Sequence, residues 1–370
     1  MVILFFLVSF MVVGKIVIKY YSKHWNDGLS ASVYFETDAI NEGEKGHICE
    51  EIINDKFLPL PVVNVKFELD KSIKYAESVN TIVSDKQYRS DTLMLGSHKK
   101  IIRRFEVKYT KRGVYNIDSL TLNTIDPVSD YKRIEIFECK SNIYVYPSYS
   151  RHKDILAPFS RVMGEALRNR FIFEDPFEFR GIRDYTTSDP MKKINWGASA
   201  RTGDLKVNNY YDTTSRHVTL FLDICNDSVW KRYDQMEEAI RITRNLMEEF
   251  ARNKIPVKII TNAKSCFNGN DIVMESGAGS GVVQANLRNM ACIDLDRQTR
   301  HMSEYFMENE AESEQLSVLI SFDNSEKLVQ AYEKYLGKNN GEWIAPILYS
   351  KDCNIYSRKF KVTYVEVNRL

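Results

Sequence analysis

Hydrophobic and polar positions alternate with period two from residue 30 to about residue 149, the pattern of strands that keep one face on a core. Val63, Val65, Phe67 and Leu69 point one way, and Asn64, Lys66 and Glu68 point the other. Residues 100–109 repeat this with Ile101, Phe105, Val107 and Tyr109, and residues 113–122 do so after a Lys-Arg-Gly turn. Breaks at 41–46, 58–61 and Asp126-Pro127 space these strands as a small antiparallel β-sandwich does.

The texture changes after residue 214, where apolar strands alternate with amphipathic helices, implying a parallel sheet covered on both faces. Residues 218–224, 256–261, 316–322 and 343–349 read as strands, with 359–367 as an edge strand. Met236, Ala239, Ile240, Thr243, Leu246, Met247 and Phe250 fall at three-four spacing and predict a helix with one apolar face. Further helices are expected near 281–291, 296–307 and 325–336.

Residues 1–18 carry a single charge, Lys15, and just reach across a hydrocarbon layer as a helix. Lys15, Lys19 and Lys23 follow the apolar run, whereas a cleaved signal peptide has cations in front. The expectation is therefore a single membrane anchor over 1–22, with the bulk of the chain on the cytoplasmic side. The expected class is α+β and multi-domain. A transmembrane helix is followed by a β-sandwich over 30–150, a connector over 151–213 and an α/β doubly wound domain over 214–370.

With 44% hydrophobic and 27% charged residues and only 9 prolines, the chain can bury a sizeable core and is not mainly disordered. Lys plus Arg (51) nearly balance Asp plus Glu (50), so the global charge does not call for nucleic acid. The six cysteines form no CxxC pair and sit mostly in apolar runs, as reduced, buried thiols do, and the six histidines are scattered, so no zinc site is indicated.

Residues 174–207 are the most informative stretch. Asp189 suits a helix N-cap, Pro190 the first helical position and Thr202-Gly203 a stop, which predicts a short helix over 191–201. Lys192 and Lys193 oppose the helix dipole at its start, so helix stability does not explain them. Arg180, Arg183 and Arg201 can fork onto Asp175, Glu178, Asp184 or Asp189 as structural pairs. Alternatively, the arginines and Trp196 form an exposed docking patch, since Arg and Trp dominate binding hot spots.

Phe179-Arg180-Gly181-Ile182-Arg183-Asp184-Tyr185, followed by Asp189 and then Ile194-Asn195-Trp196-Gly197-Ala198-Ser199-Ala200-Arg201-Thr202-Gly203-Asp204-Leu205, resembles the signature of the DUF58 proteins. These are bacterial membrane-associated proteins with a von Willebrand factor A-like domain. Asn41-Glu42-Gly43-Glu44, Lys111-Arg112-Gly113-Val114-Tyr115, Asp126-Pro127 and Val145-Tyr146-Pro147 are similar to that family's sandwich landmarks. Ser188 for the usual Gly, Lys193 for the usual Arg, and one span where the family commonly has two are departures. The resemblance implies a von Willebrand A-like fold for the last domain and a MoxR-type AAA+ ATPase as partner. Arg180, Arg183, Asp184, Tyr185, Asp189, Asn195, Trp196, Ser199 and Arg201 are then the expected partner-binding residues.

Such a domain often binds Mg²⁺ through Asp-x-Ser-x-Ser after its first strand, where hard oxygens suit a hard cation. Here the run is Asp223-Ile224-Cys225-Asn226-Asp227, in which sulfur replaces one oxygen ligand. Asp223, Asp227, Ser280 and Asp323 are the candidate ligands; the alternative is that Asp223 caps a loop or helix at the strand end. The glycines at 277, 279 and 281 are a weak phosphate signal, and GxxxxGK[ST], HExxH and GxSxG are absent. The expectation is a non-enzymatic adaptor that docks a protein partner. The rival is a metal-dependent hydrolase or envelope-assembly enzyme using the acidic crevice of the α/β domain.

Overall fold

The computed structural model describes residues 2–76, 81–83, 86–125, 132–150, 160–161, 164, 174–187, 189–212, 217–225, 231–312, 315–348 and 355–367. They form two units, Met1–Ser148 and Tyr149–Leu370.

The first unit opens with helix α1 (Val2–His24). Ten strands follow: β1 (Leu29–Phe35), β2 (Ala39–Asn41), β3 (Lys45–Asn54), β4 (Leu60–Asp70), β5 (Ile73–Tyr75), β6 (Thr81–Val83), β7 (Lys86–Leu95), β8 (Lys99–Tyr109), β9 (Gly113–Ile125) and β10 (Lys132–Tyr146). One sheet runs β1-β3-β8-β5 and the other β2-β10-β9-β4-β7-β6, antiparallel throughout except for the β2–β10 pair. Val63, Val65, Phe67 and Leu69 all point into the core, together with Ile48, Ile52, Val107 and Tyr109 from the facing sheet. A register shift in β10 between Glu138 and Ser141 turns two side chains toward β1. The Cys139 thiol and the Ser141 hydroxyl accept the Val33 and Phe35 N–H groups at 3.4 and 3.0 Å, satisfying backbone donors on an edge strand.

A buried ionic cluster joins the two sheets. Arg103 of β8 forks onto Glu50 of β3 at 2.8 and 2.8 Å and reaches Asp91 of β7 at 3.3 Å; Arg89 of β7 holds Asp91 at 2.6 Å. Burial raises the Glu50 carboxyl above its usual range, a push that the Arg103 charge and hydrogen bonds oppose.

The membrane-anchor expectation is corrected: no helix among the described residues is long and apolar enough to cross a membrane. The stretch of α1 before Lys15 rises only about 20 Å against the ~30 Å of a hydrocarbon core. Downstream, Tyr21 and Trp25 are buried in the sandwich core, tying the end of the helix to protein. Residues upstream, Phe5, Phe6 and Phe10 among them, are exposed. The single-span, cytoplasm-facing localisation goes with the anchor.

In the second unit, β11 (Glu174–Asp184) and β12 (Lys206–Asp212) form a hairpin around the short helix α2 (Trp196–Thr202). The remainder runs β13 (Val218–Leu222), α3 (Tyr233–Arg252), β14 (Val257–Thr261), β15 (Lys264–Ser265), α4 (Ser280–Ala291), β16 (Ile293–Asp294), α5 (Met302–Glu308), β17 (Leu316–Ile320), α6 (Glu326–Leu336), β18 (Gly341–Ile347) and β19 (Phe360–Glu366). The five long strands are all parallel in the order β14-β13-β17-β18-β19. Numbered within the sheet, that is 2-1-3-4-5, the flavodoxin-type doubly wound order. The described residues are strand-rich, 42% strand against 27% helix. The architecture combining a membrane helix with a von Willebrand A-like domain is therefore replaced by a helix-led β-sandwich followed by this five-stranded α/β unit.

β13 and β17 are buried at every position, and α3 lays Met236, Ala239, Ile240, Leu246, Met247 and Phe250 in the interior. On the other side Phe221, Phe306, Tyr332, Tyr335, Trp343 and Phe360 pack as an aromatic cluster. Gly341 opens β18 because α6 lies against it: an added Cβ would stand 2.7 Å from the Tyr332 hydroxyl and 2.8 Å from Leu336. Both neighbours are fully enclosed, so Gly341→Ala is expected to lower stability by about 1–3 kcal/mol, read from the urea midpoint of unfolding.

Candidate functional site

Two places combine polar chemistry with an open face. The first is the hairpin module. Asp189 is drawn away from helix capping by Arg183, which forks onto it at 2.6 and 2.6 Å, and by Thr186, whose N–H and hydroxyl donate at 2.9 and 2.8 Å. The guanidinium bonds first, and then those from Thr186, hold the Asp189 carboxyl well below the usual carboxylate range. The predicted helix over 191–201 consequently divides into a 3-10 turn, Met191–Lys193, and α2. Ile194 between them is extended and bridges to Val207. Asn195 is the N-cap: its side-chain oxygen Oδ1 accepts from the Ala198 N–H at 2.9 Å while its side-chain amide donates to Asn208 at 2.7 Å. Ser199 is buried; its hydroxyl donates to the Asn195 carbonyl and accepts the Lys206 N–H, stapling α2 to β12. Gly203 ends α2 in the left-handed region at φ 82°.

The signature residues thus divide by role. Arg183, Asp189, Asn195 and Ser199 are spent on internal bonds, and Asp184 pairs with Lys206. Tyr185 contributes a backbone bond to the Leu205 carbonyl. Trp196 is left 65% exposed, and Ile182, Met191 and Leu205 on the same module are exposed too. Arg201 is exposed and makes no ion pair among the described residues. The side chains of Arg180, Asp175 and Glu178 lie outside the described residues.

The second place is the carboxyl end of the parallel sheet. Asp223, just past β13, is 2% exposed. It accepts from the Ser321 hydroxyl at 2.7 Å, the Asn262 amide at 2.7 Å and the Cys225 N–H at 3.1 Å, so one carboxylate ties the ends of β13, β14 and β17 together. Burial pushes its pKa up to about 6, with the nearby Asp323 charge adding to the push and the three hydrogen bonds opposing it. Asn262 also donates to the Arg300 carbonyl at 2.8 Å and accepts the Ile224 N–H at 3.0 Å, passing the order of Asp223 into the loop over 295–301. That loop displaces the first turn of the helix expected over 296–307, so α5 starts only at Met302.

The loop, Arg300 included, walls one side of a cleft of about 740 Å³ that Ile224, Lys231, Met236 and Lys264 also line. Cys225 lies at its base, with its sulfur 3.7 Å from Nδ1 of His301.

Of the four metal candidates the structure describes Asp223, Asp323 and Ser280, and it brings the first two together at Ser321. Asp223 and Asp323 share Ser321, whose hydroxyl accepts the Asp323 N–H at 3.0 Å. Both Asp323 oxygens accept from Ser325, the N-cap of α6. Ser280 starts α4 near the Gly277–Val257 bridge, at the amino end of β14, about 13 Å along the strand from the end where Asp223 lies. Asp227 lies outside the described residues. Among the described residues there is no group of three or more His, Cys, Asp or Glu side chains that could hold a metal ion.

No family model matches the chain. A curated relative, the uncharacterized protein YeaD of Bacillus subtilis (strain 168), is 20% identical over 149 residues, which are 40% of this chain and 36% of the relative. The match spans about a third of that relative's length. Solved structures with partial likeness include the CARDB domain of the PF1109 protein from Pyrococcus furiosus, 12% identical, covering 30% of this chain and 86% of that one at a TM-score of 0.20. The major pilin SpaD of Corynebacterium diphtheriae is 14% identical, covering 29% of this chain and 34% of its own at 0.22. A non-cellulosomal cohesin from Archaeoglobus fulgidus is 7% identical, covering 31% and 91% at 0.22. Scores this low carry no functional argument. The DUF58 resemblance, the von Willebrand A-like label and the MoxR-type partner gain no support from these findings.

Proposed function

We propose that this chain is a docking protein, and that the hairpin module of β11, α2 and β12 grips another protein through Trp196. The observation that carries this reading is the exposure of Trp196 on a module whose neighbouring polar side chains are bonded inward. A rigid aromatic side chain held at the start of a capped helix loses little entropy on binding, which is the physical basis of tryptophan hot spots. Ile182, Met191 and Leu205 add apolar surface to the module, and Lys192 and Arg201 on it add positive charge. The surface it suits is an acidic one with an apolar pocket.

Trp196→Ala in the full chain is expected to leave the circular dichroism spectrum and melting temperature unchanged and to weaken partner capture about thirtyfold, as loss of a hot-spot side chain does. Quantitative capture from native extracts, wild type against variant, reads this directly. Equal capture by a folded Trp196→Ala variant would remove the basis of the proposal. Asn195→Ala serves as the contrasting case: it loses the α2 cap and should lower stability by about 1 kcal/mol as well as capture.

A further inference from the structure

The cleft at the carboxyl end of the sheet is separate in its chemistry from the hairpin module and has no part in the docking reading. In a doubly wound sheet, ligands collect outside the carboxyl ends of the strands, where successive connections leave in opposite directions. Here that point flanks β13, which has β14 on one side and β17 on the other. The cleft volume of about 740 Å³ matches a small organic ligand.

Its lining has two halves. Ile224, Met236 and Leu295 supply apolar surface; Lys231, Lys264, Arg297 and Arg300 supply positive charge. Three of the cations are already committed, Lys231 to Asp296 at 3.2 Å, Lys264 to Asp271 at 2.6 Å and Arg297 to Asp294 at 3.1 Å. Arg300 makes no ion pair among the described residues, yet its backbone is fixed, because the Asn262 amide that binds Asp223 also holds the Arg300 carbonyl. The pinned backbone fixes where the side chain starts, and the uncommitted planar guanidinium can fork onto an oxyanion.

We infer that this cleft binds a small molecule carrying a phosphate or carboxylate group on an apolar body, with Arg300 as the anion-binding residue and Asn262 as its positioning residue. The apolar wall receives the body of the ligand. The acids Asp296 and Glu304 on the rim exclude large polyanions by like-charge repulsion.

The test is titration of the full chain with phenyl phosphate, benzoate and inorganic phosphate, followed by amide chemical shifts of the loop over 295–301. Saturable binding of phenyl phosphate or benzoate is expected at millimolar concentration or below, with inorganic phosphate weaker because it lacks the body. The stronger of the two organic probes identifies the anion. Arg300→Gln, at an exposed position where folding is not at stake, should weaken binding at least about tenfold. Asn262→Ala should weaken it while leaving Arg300 present. Trp196→Ala should leave it unchanged, so the inference and the docking reading fail separately. No saturable binding of any probe up to about 10 mM, or binding untouched by Arg300→Gln, overturns the inference.

Discussion

Asp223→Asn is expected to abolish a loss of stability that the unaltered second unit undergoes as pH rises from about 4 to 7. The Asp223 pKa rises from 3.8 to about 6 on folding, chiefly through burial. Between those values the folded protein keeps a proton that the unfolded chain has released, so stability falls with rising pH. The contribution is fully present below the unfolded value and lost as pH passes through about 6. Two pKa units correspond to about 3 kcal/mol, a large share of an ordinary domain's stability.

Asn preserves the shape and the acceptor facing Cys225 and Asn262, and removes the charge. The difference between wild type and variant therefore isolates this group from Asp189 and Asp296, whose carboxyls are lowered and titrate in the opposite sense. The measurement is hydrogen exchange of β13 and β17 amides against pH. Identical pH profiles for the two proteins would mean that Asp223 ionises as an ordinary carboxylate.

Arg103→Ala is expected to be the most damaging single substitution in the first unit, at about 3–5 kcal/mol. It leaves Glu50, 1% exposed, without its counter-ion and takes from Asp91 one of two cations. The cost is that of a stranded charge, so the same arginine changed together with Glu50→Gln should recover part of it. Lysine at this position keeps the charge but loses the fork, and should fall between the two. Urea unfolding of the three variants orders them; equal midpoints for Arg103→Ala and wild type would show that the cluster contributes nothing to the joining of the sheets.

Much of the fold follows from periodicity because periodicity reports burial. The alternation at residues 63–69 and the three-four spacing of residues 236–250 both correspond to faces that are inside. What periodicity does not contain is competition between partners. Asp189 has the chemistry of an N-cap, but Arg183 and Thr186 claim it in space, and Asn195 takes the role six residues later. Residues 1–18 read as a membrane span by their apolar composition, which does not reveal that Tyr21 and Trp25 just downstream are buried in the sandwich core.

At the carboxyl end of the sheet, Asp223 and Asp323 are legible as acids after strands, whereas Asn262, Ser321 and Arg300 are not, since no spacing links residues from three strands and a loop. A usable signal does exist. Asn262 directly follows β14 and Ser321 directly follows β17, and a polar residue at that place in a buried strand points at the crevice.

The docking account is tested most directly by replacing Trp196 with a photo-crosslinking amino acid in the full chain and irradiating cells. The account predicts one discrete protein adduct at position 196, and none at position 356, where Tyr356 is 84% exposed and is not part of the hairpin module. Equal, diffuse labelling from both positions would contradict it.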